Sequence, residues 1–153
     1  MYKKIAVCLA LGLFTASASA VEYTCQLENN KTVSVVVETG KVPVYRYGTL
    51  GKTEITLPIN AKGQESIYVG QGTFSAGGSI YIRFQNGPFS YLLYDGEGRG
   101  WYFQGIAVYK NGKLVNKKSC KPDSNLNLYS LLDYGIPTDP DEDGPYTFDP
   151  NSN

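Results

Sequence analysis

The 153-residue chain contains no histidine. That absence removes the commonest general base and the commonest metal ligand together. Ser-His-Asp and Cys-His catalysis, His-ligated zinc and histidine-based pH sensing are all excluded. Methionine and tryptophan occur once each. A dense Lys/Arg stripe is missing, with 14 basic residues against 14 acidic ones, which argues against a nucleic-acid partner. No convincing helical stripe runs through the chain, and the one long apolar run is residues 5–14. What is abundant is tyrosine, 13 residues, and glycine, 17 residues, a balance that favours β-strands joined by many turns.

The apolar run follows Lys3 and Lys4 and precedes Ala18-Ser19-Ala20. A short positive segment, an apolar stretch too short to span a bilayer, and an A-x-A site together describe a signal peptide over residues 1–20. Its style is bacterial. The expected location is the periplasm of a Gram-negative cell, or outside the cell, with no membrane span after cleavage. Cys8 leaves with that peptide. Cys25 and Cys120 remain, and an even pair in an exported chain is expected to be oxidised. Closing a loop of that length stabilises by roughly 4–5 kcal/mol in the chain-entropy treatment. Charge is segregated too. Residues 21–121 carry a net +5, whereas residues 122–153 hold seven acids and no base.

Period-2 alternation recurs through residues 21–121. Val33, Val35 and Val37 share one face, as do Ile55, Leu57 and Ile59, and Ile80, Ile82 and Phe84. Asn86-Gly87 and Asn111-Gly112 are two-residue hairpin signals. The expected fold is all-β: an antiparallel meander of about eight strands with its first and last strands joined by the disulfide. If those strands are neighbours, the sheet closes into a small barrel; a β-sandwich is the alternative. Val35, Ile82, Phe84, Trp101 and Phe103 are expected to fill its interior, leaving no ligand cavity.

Residues 122–153 form an acidic Pro/Asp-rich tail. Leu126, Leu128, Leu131 and Leu132 after Asp123-Ser124 predict a short helix over 124–133. Beyond it the tail is expected to be solvated, with Tyr146 and Phe148 docking weakly, or else to lie across the basic body. Asp139, Asp141, Asp143 and Gly144 match the opening of a calcium loop, although its twelfth position, Pro150, offers no ligand. Calcium on those three aspartates is the one cofactor the sequence raises.

In the body the acids stand singly, and only Asp95 and Glu97 are close in sequence. No nucleophile, base and orienting group can be assembled, so no enzyme is expected. Two Gly-rich segments are the candidate binding loops, residues 70–79 and 95–101. Their candidate contact residues are Ser75, Gly77, Gly78, Ser79, Tyr81, Arg99 and Trp101; alternation with Phe103 also suits Trp101 to a core.

Tyr23-Thr24-Cys25, the strand from Lys31 to Val35, a Gly/Ser loop leading to Tyr81, and Asn111-Gly112-Lys113 before Cys120 together resemble the small periplasmic β-barrel inhibitors of lysozyme, the MliC/PliI type. The resemblance spans residues 22–120 and extends to a broader group of small secreted Gram-negative proteins. It implies a non-enzymatic inhibitor whose Ser-Gly-x-x-Tyr-like loop enters a lysozyme cleft. Residues 75–81 correspond to that loop, with Ala76 separating Ser75 from Gly77; the acidic tail has no counterpart. The expected function is an exported binding protein with a protein partner in the envelope or outside the cell. The alternatives are an envelope or immunity-type protein recognising its partner through the acidic tail, and a carrier of a small apolar ligand.

Overall fold

Alternating Val and Ile positions put one face of each strand in oil and the other in water, and stacking two such faces buries both. The computed structural model, which describes residues 19–60, 66–124 and 126–147, shows two antiparallel sheets built this way. Strands β1 (Ala20–Gln26), β2 (Thr32–Glu38), β3 (Val44–Thr49) and β4 (Lys52–Leu57) form the first meander. Strands β5 (Ile67–Phe74), β6 (Gly77–Asn86), β7 (Phe89–Gly98), β8 (Trp101–Lys110) and β9 (Lys113–Ser119) form the second. Asn111 and Gly112 both take positive φ, 51° and 75°, as a tight primed hairpin turn requires. Most of the signal-peptide expectation, residues 1–18, lies outside the described residues, as does Phe148.

The main core lies between the sheets. Val33, Val35, Val37, Tyr45 and Leu57 meet Ile67, Ile80, Ile82, Phe84, Leu93 and Ile106. A 3₁₀ helix, Leu128–Tyr134, adds buried Leu128 and Leu131; it begins four residues later than the helix expected over 124–133.

The expected barrel does not close. Cys25 and Cys120 are bonded with their Cα atoms 5.7 Å apart. Beside them, Leu27 and Cys120 make a single antiparallel bridge. The Glu28 amide donates to the Ser119 carbonyl at 2.9 Å and the Lys121 amide to the Gln26 carbonyl at 2.7 Å. That seam is one bridge long. On the far side, among the described residues, β4 pairs only with β3, and no ladder joins it to β5. A disulfide constrains one residue pair, and a corner contact between two stacked sheets satisfies it as well as a continuous ladder does.

Two further expectations are corrected. Trp101 and Phe103 do not share the interior with Val35, Ile82 and Phe84. Their parity puts them on the opposite face of the five-stranded sheet, where Tyr81, Leu92, Tyr94, Phe103, Ala107 and Tyr109 form a second core with Trp101 against it. The tail is not a solvated extension. Thr138 makes a parallel bridge to Val69 on β5, Asp139 is buried, and Tyr146 closes the second core.

Candidate functional site

Both Gly-rich segments expected to be loops are strands. β5 runs to Phe74, turns at Ser75-Ala76, and resumes as β6 at Gly77; β7 runs to Gly98 and turns at Arg99-Gly100 into β8. Ala76 and Gly100 supply positive φ, 61° and 80°. Because β6 pairs with β7, with Gly78 opposite Glu97, the two hairpin tips sit side by side. The Arg99 amide donates to the Ser75 carbonyl at 3.1 Å, tying one tip to the other. Gly77 permits that approach, since a Cβ there would collide with the Glu97 carbonyl. The Phe74 ring meets Trp101 edge-on at 5.1 Å.

Five of the seven predicted contact residues therefore converge: Ser75, Gly77, Gly78, Arg99 and Trp101. The other two are buried and unavailable to a partner, Ser79 at 1% exposure and Tyr81 at 0%. Tyr81 stacks parallel to Tyr94 at 6.2 Å and donates its hydroxyl to Asp139 at 3.0 Å. Burial and the Asp139 charge drive its pKa far above the phenol value.

A second set of residues lies on the inner face behind the tips. Across β7 and β8, Asp95 stands opposite Gln104 and Glu97 opposite Tyr102. Alternation puts all four on one face, and Tyr129 of the 3₁₀ helix completes a notch of about 190 Å³ that also includes Gly78. Tyr102 and Tyr129 are 63% and 48% exposed. Burial, reinforced by the Glu97 charge, raises the Asp95 carboxyl above its ordinary value despite hydrogen bonds from Gln104 and the Leu128 amide. The Tyr102 and Tyr129 hydroxyls are also raised, by burial and by the charges of Asp95 and Glu97.

The outer face carries the other charged centre. Arg83 bonds Asp139 through both guanidinium and carboxylate ends, Nε to Oδ2 and Nη2 to Oδ1, each at 2.6 Å. Its guanidinium lies 4.7 Å from the Tyr68 ring centre and 4.4 Å from that of Tyr146. Burial alone would raise the Asp139 pKa, but Arg83, the Asp141 amide and the Tyr81 hydroxyl outweigh it and hold it below the ordinary carboxylate value. Of the three aspartates considered for calcium, Asp139 is thus engaged by protein donors at both oxygens. Asp141 lies 3.6 Å from Arg83. Asp143 lines a shallow cleft with Glu142, Gln71 and Phe74.

No protein family, curated protein or solved structure matches this chain. Asp95 and Glu97 stand out in the sequence as neighbouring acids, whereas Tyr102, Gln104 and Tyr129 do not. Their parity on β8 was available for Tyr102 and Gln104. Nothing local signals that Tyr129, in the tail, returns to that face.

Proposed function

We propose that the protein is an exported, non-catalytic binding module that engages another protein through its paired hairpin tips. The observation that carries this is the Arg99–Ser75 hydrogen bond. It turns two short turns into one rigid projection, and a rigid projection loses little entropy on insertion into a cleft. The exposed turn residues Ser75, Ala76, Arg99 and Gly100 form its leading edge. The disulfide is compatible with an oxidising compartment such as the periplasm. The non-catalytic part rests on the missing histidine and on the commitment of the buried Asp139 carboxylate to Arg83.

The resemblance to lysozyme inhibitors gives the sharp version, in which the cleft belongs to a lysozyme. Local charge supports it better than the net charge of the body does. Asp95 and Glu97 flank the tips on one side, and Glu142 and Asp143 on the other, a setting suited to a basic partner. Recognition through a free acidic tail is less well supported, because the tail folds onto the body through Asp139 and Tyr146. The mature protein is titrated against c-, g- and i-type lysozymes, alongside Arg99→Ala and Glu142→Gln/Asp143→Asn forms. Inhibition abolished by the tip variant alone supports the proposal. Full lysozyme activity at excess protein rejects the lysozyme version, and sensitivity confined to the tail variant rejects the tips.

A further inference from the structure

We infer that the notch between Tyr102 and Tyr129 receives one cationic side chain, a lysine or an arginine, presented by the protein partner. This rests on the tip-binding proposal for its direction of approach, since Gly78 and Glu97 belong both to the notch and to the strands that carry the tips.

Size decides the scale of the occupant. The notch holds about 190 Å³, less than the roughly 300–1,000 Å³ of sites that enclose a drug-sized ligand. It has room for a side chain. Charge decides the sign. Two carboxylates, Asp95 and Glu97, and no basic residue line it, together with Gly78, Gly96, Gln104 and the two tyrosines. Asp95 is partly withdrawn from water, Glu97 is exposed at the mouth, and a cation placed between them would offset two like charges on one face. The walls decide the shape. Tyr102 and Tyr129 stay 63% and 48% exposed, whereas Tyr81, Tyr94 and Tyr109 on the opposite face of the sheet are buried. Exposed aromatic faces beside carboxylates recognise an ammonium or guanidinium by cation–π attraction and ion pairing together, while the methylene stem packs on the rings.

The test uses the full mature protein at fixed ionic strength. N-acetyl-lysine methylamide and N-acetyl-arginine methylamide are titrated in turn, and the Tyr102 and Tyr129 ring resonances are followed, assigned through Tyr102→Phe and Tyr129→Phe. A saturable shift with a dissociation constant of about 10 mM or tighter is expected from at least one of them. N-acetyl-norleucine methylamide, which has the apolar stem without the charge, should leave both rings unmoved. Glu97→Gln should weaken the cationic probe roughly tenfold, the scale of one charge-assisted contact. Equal response to the norleucine probe, no response to either cation, or an unchanged constant in Glu97→Gln would overturn the inference. The two proposals fail separately. Cation binding here with lysozyme inhibition indifferent to Arg99→Ala removes the tips and keeps the notch; silent rings with inhibition that depends on Arg99 remove the notch and keep the tips.

Discussion

Arg83 is a guanidinium in the middle of a strand whose neighbours are Ile82 and Phe84, and it is 3% exposed. A buried charge is tolerable only with a partner, and Asp139 provides it from 56 residues away. Asp139→Asn leaves Arg83 with only the exposed Asp141 carboxylate, 3.6 Å away, and should cost about 3 kcal/mol by chemical denaturation. The wild-type pH dependence follows from the depressed Asp139 pKa. The contribution of that carboxylate is fully present above its unfolded value near 3.8, and it is lost as pH falls through the lower native value. Asp139→Asn should lack that acid-side slope in melts recorded across pH. Asp95 has the opposite sign. Its folded pKa is raised, so its ionised form is held at a cost at neutral pH, and stability recovers as the group protonates. Asp95→Asn should therefore flatten the gain in melting temperature that wild type shows as pH falls through the raised pKa, and an identical slope in the two proteins would contradict that shift. The sequence displayed both partners of the Arg83 pair. Arg83 stood beside Tyr81 and Gln85 on one strand face, and Asp139 stood first in a calcium-like motif. A pairing across 56 residues has no local signature, so Asp139 looked like a metal ligand.

At the scale of elements, glycine was the residue that misled. Clusters such as Gly70, Gly72, Gly77 and Gly78, or Gly96, Gly98 and Gly100, read locally as flexible connections. Most of them instead sit within strands because a ring or a neighbouring strand lies where a side chain would be. The Tyr81 ring occupies the space beside Gly70, and the Trp101 indole that beside Gly98; aromatic cover of strand glycines is a known device for holding register. The alternation of Val, Ile, Leu and Phe identified β2, β4 and β6, because period 2 is a local property, although Ile59 lies beyond the end of β4 and is exposed. The length of β5 and β7 was not legible, because it depends on rings contributed by other strands. Gly77→Ala tests this directly. Its Cβ would force β6 from β7 at the tips, so the Arg99 amide, hydrogen-bonded to Ser75 in the native protein, should lose protection in hydrogen exchange while amides in the middle of β6 keep theirs. Unchanged protection of Arg99 would show that the tips are not coupled.

Across the whole molecule, two long-range ties hold what short-range pattern cannot. The Cys25–Cys120 bond spans 95 residues. The double variant Cys25→Ser/Cys120→Ser should lose about 2–5 kcal/mol of unfolding free energy. The cysteine count announced this bond, yet the choice between barrel and stacked sheets stayed open, since one cross-link cannot specify a ladder. The second tie is the tail, whose acidity was legible and whose docking was not, because its anchors, the buried Asp139 carboxylate and the Tyr146 ring, meet residues of the sheet more than 50 positions away or on other strands. Where it docks, the Val69 amide donates to the Pro137 carbonyl and the Val69 carbonyl accepts from the Asp139 amide. Those two backbone groups belong to the outermost strand of its sheet. Left bare, such a border is a template on which another chain can lay its own backbone. The C-terminal strap thus covers part of that border, and a protein clipped by a protease before Thr138 and freed of the strap should scatter more light on standing than the intact protein.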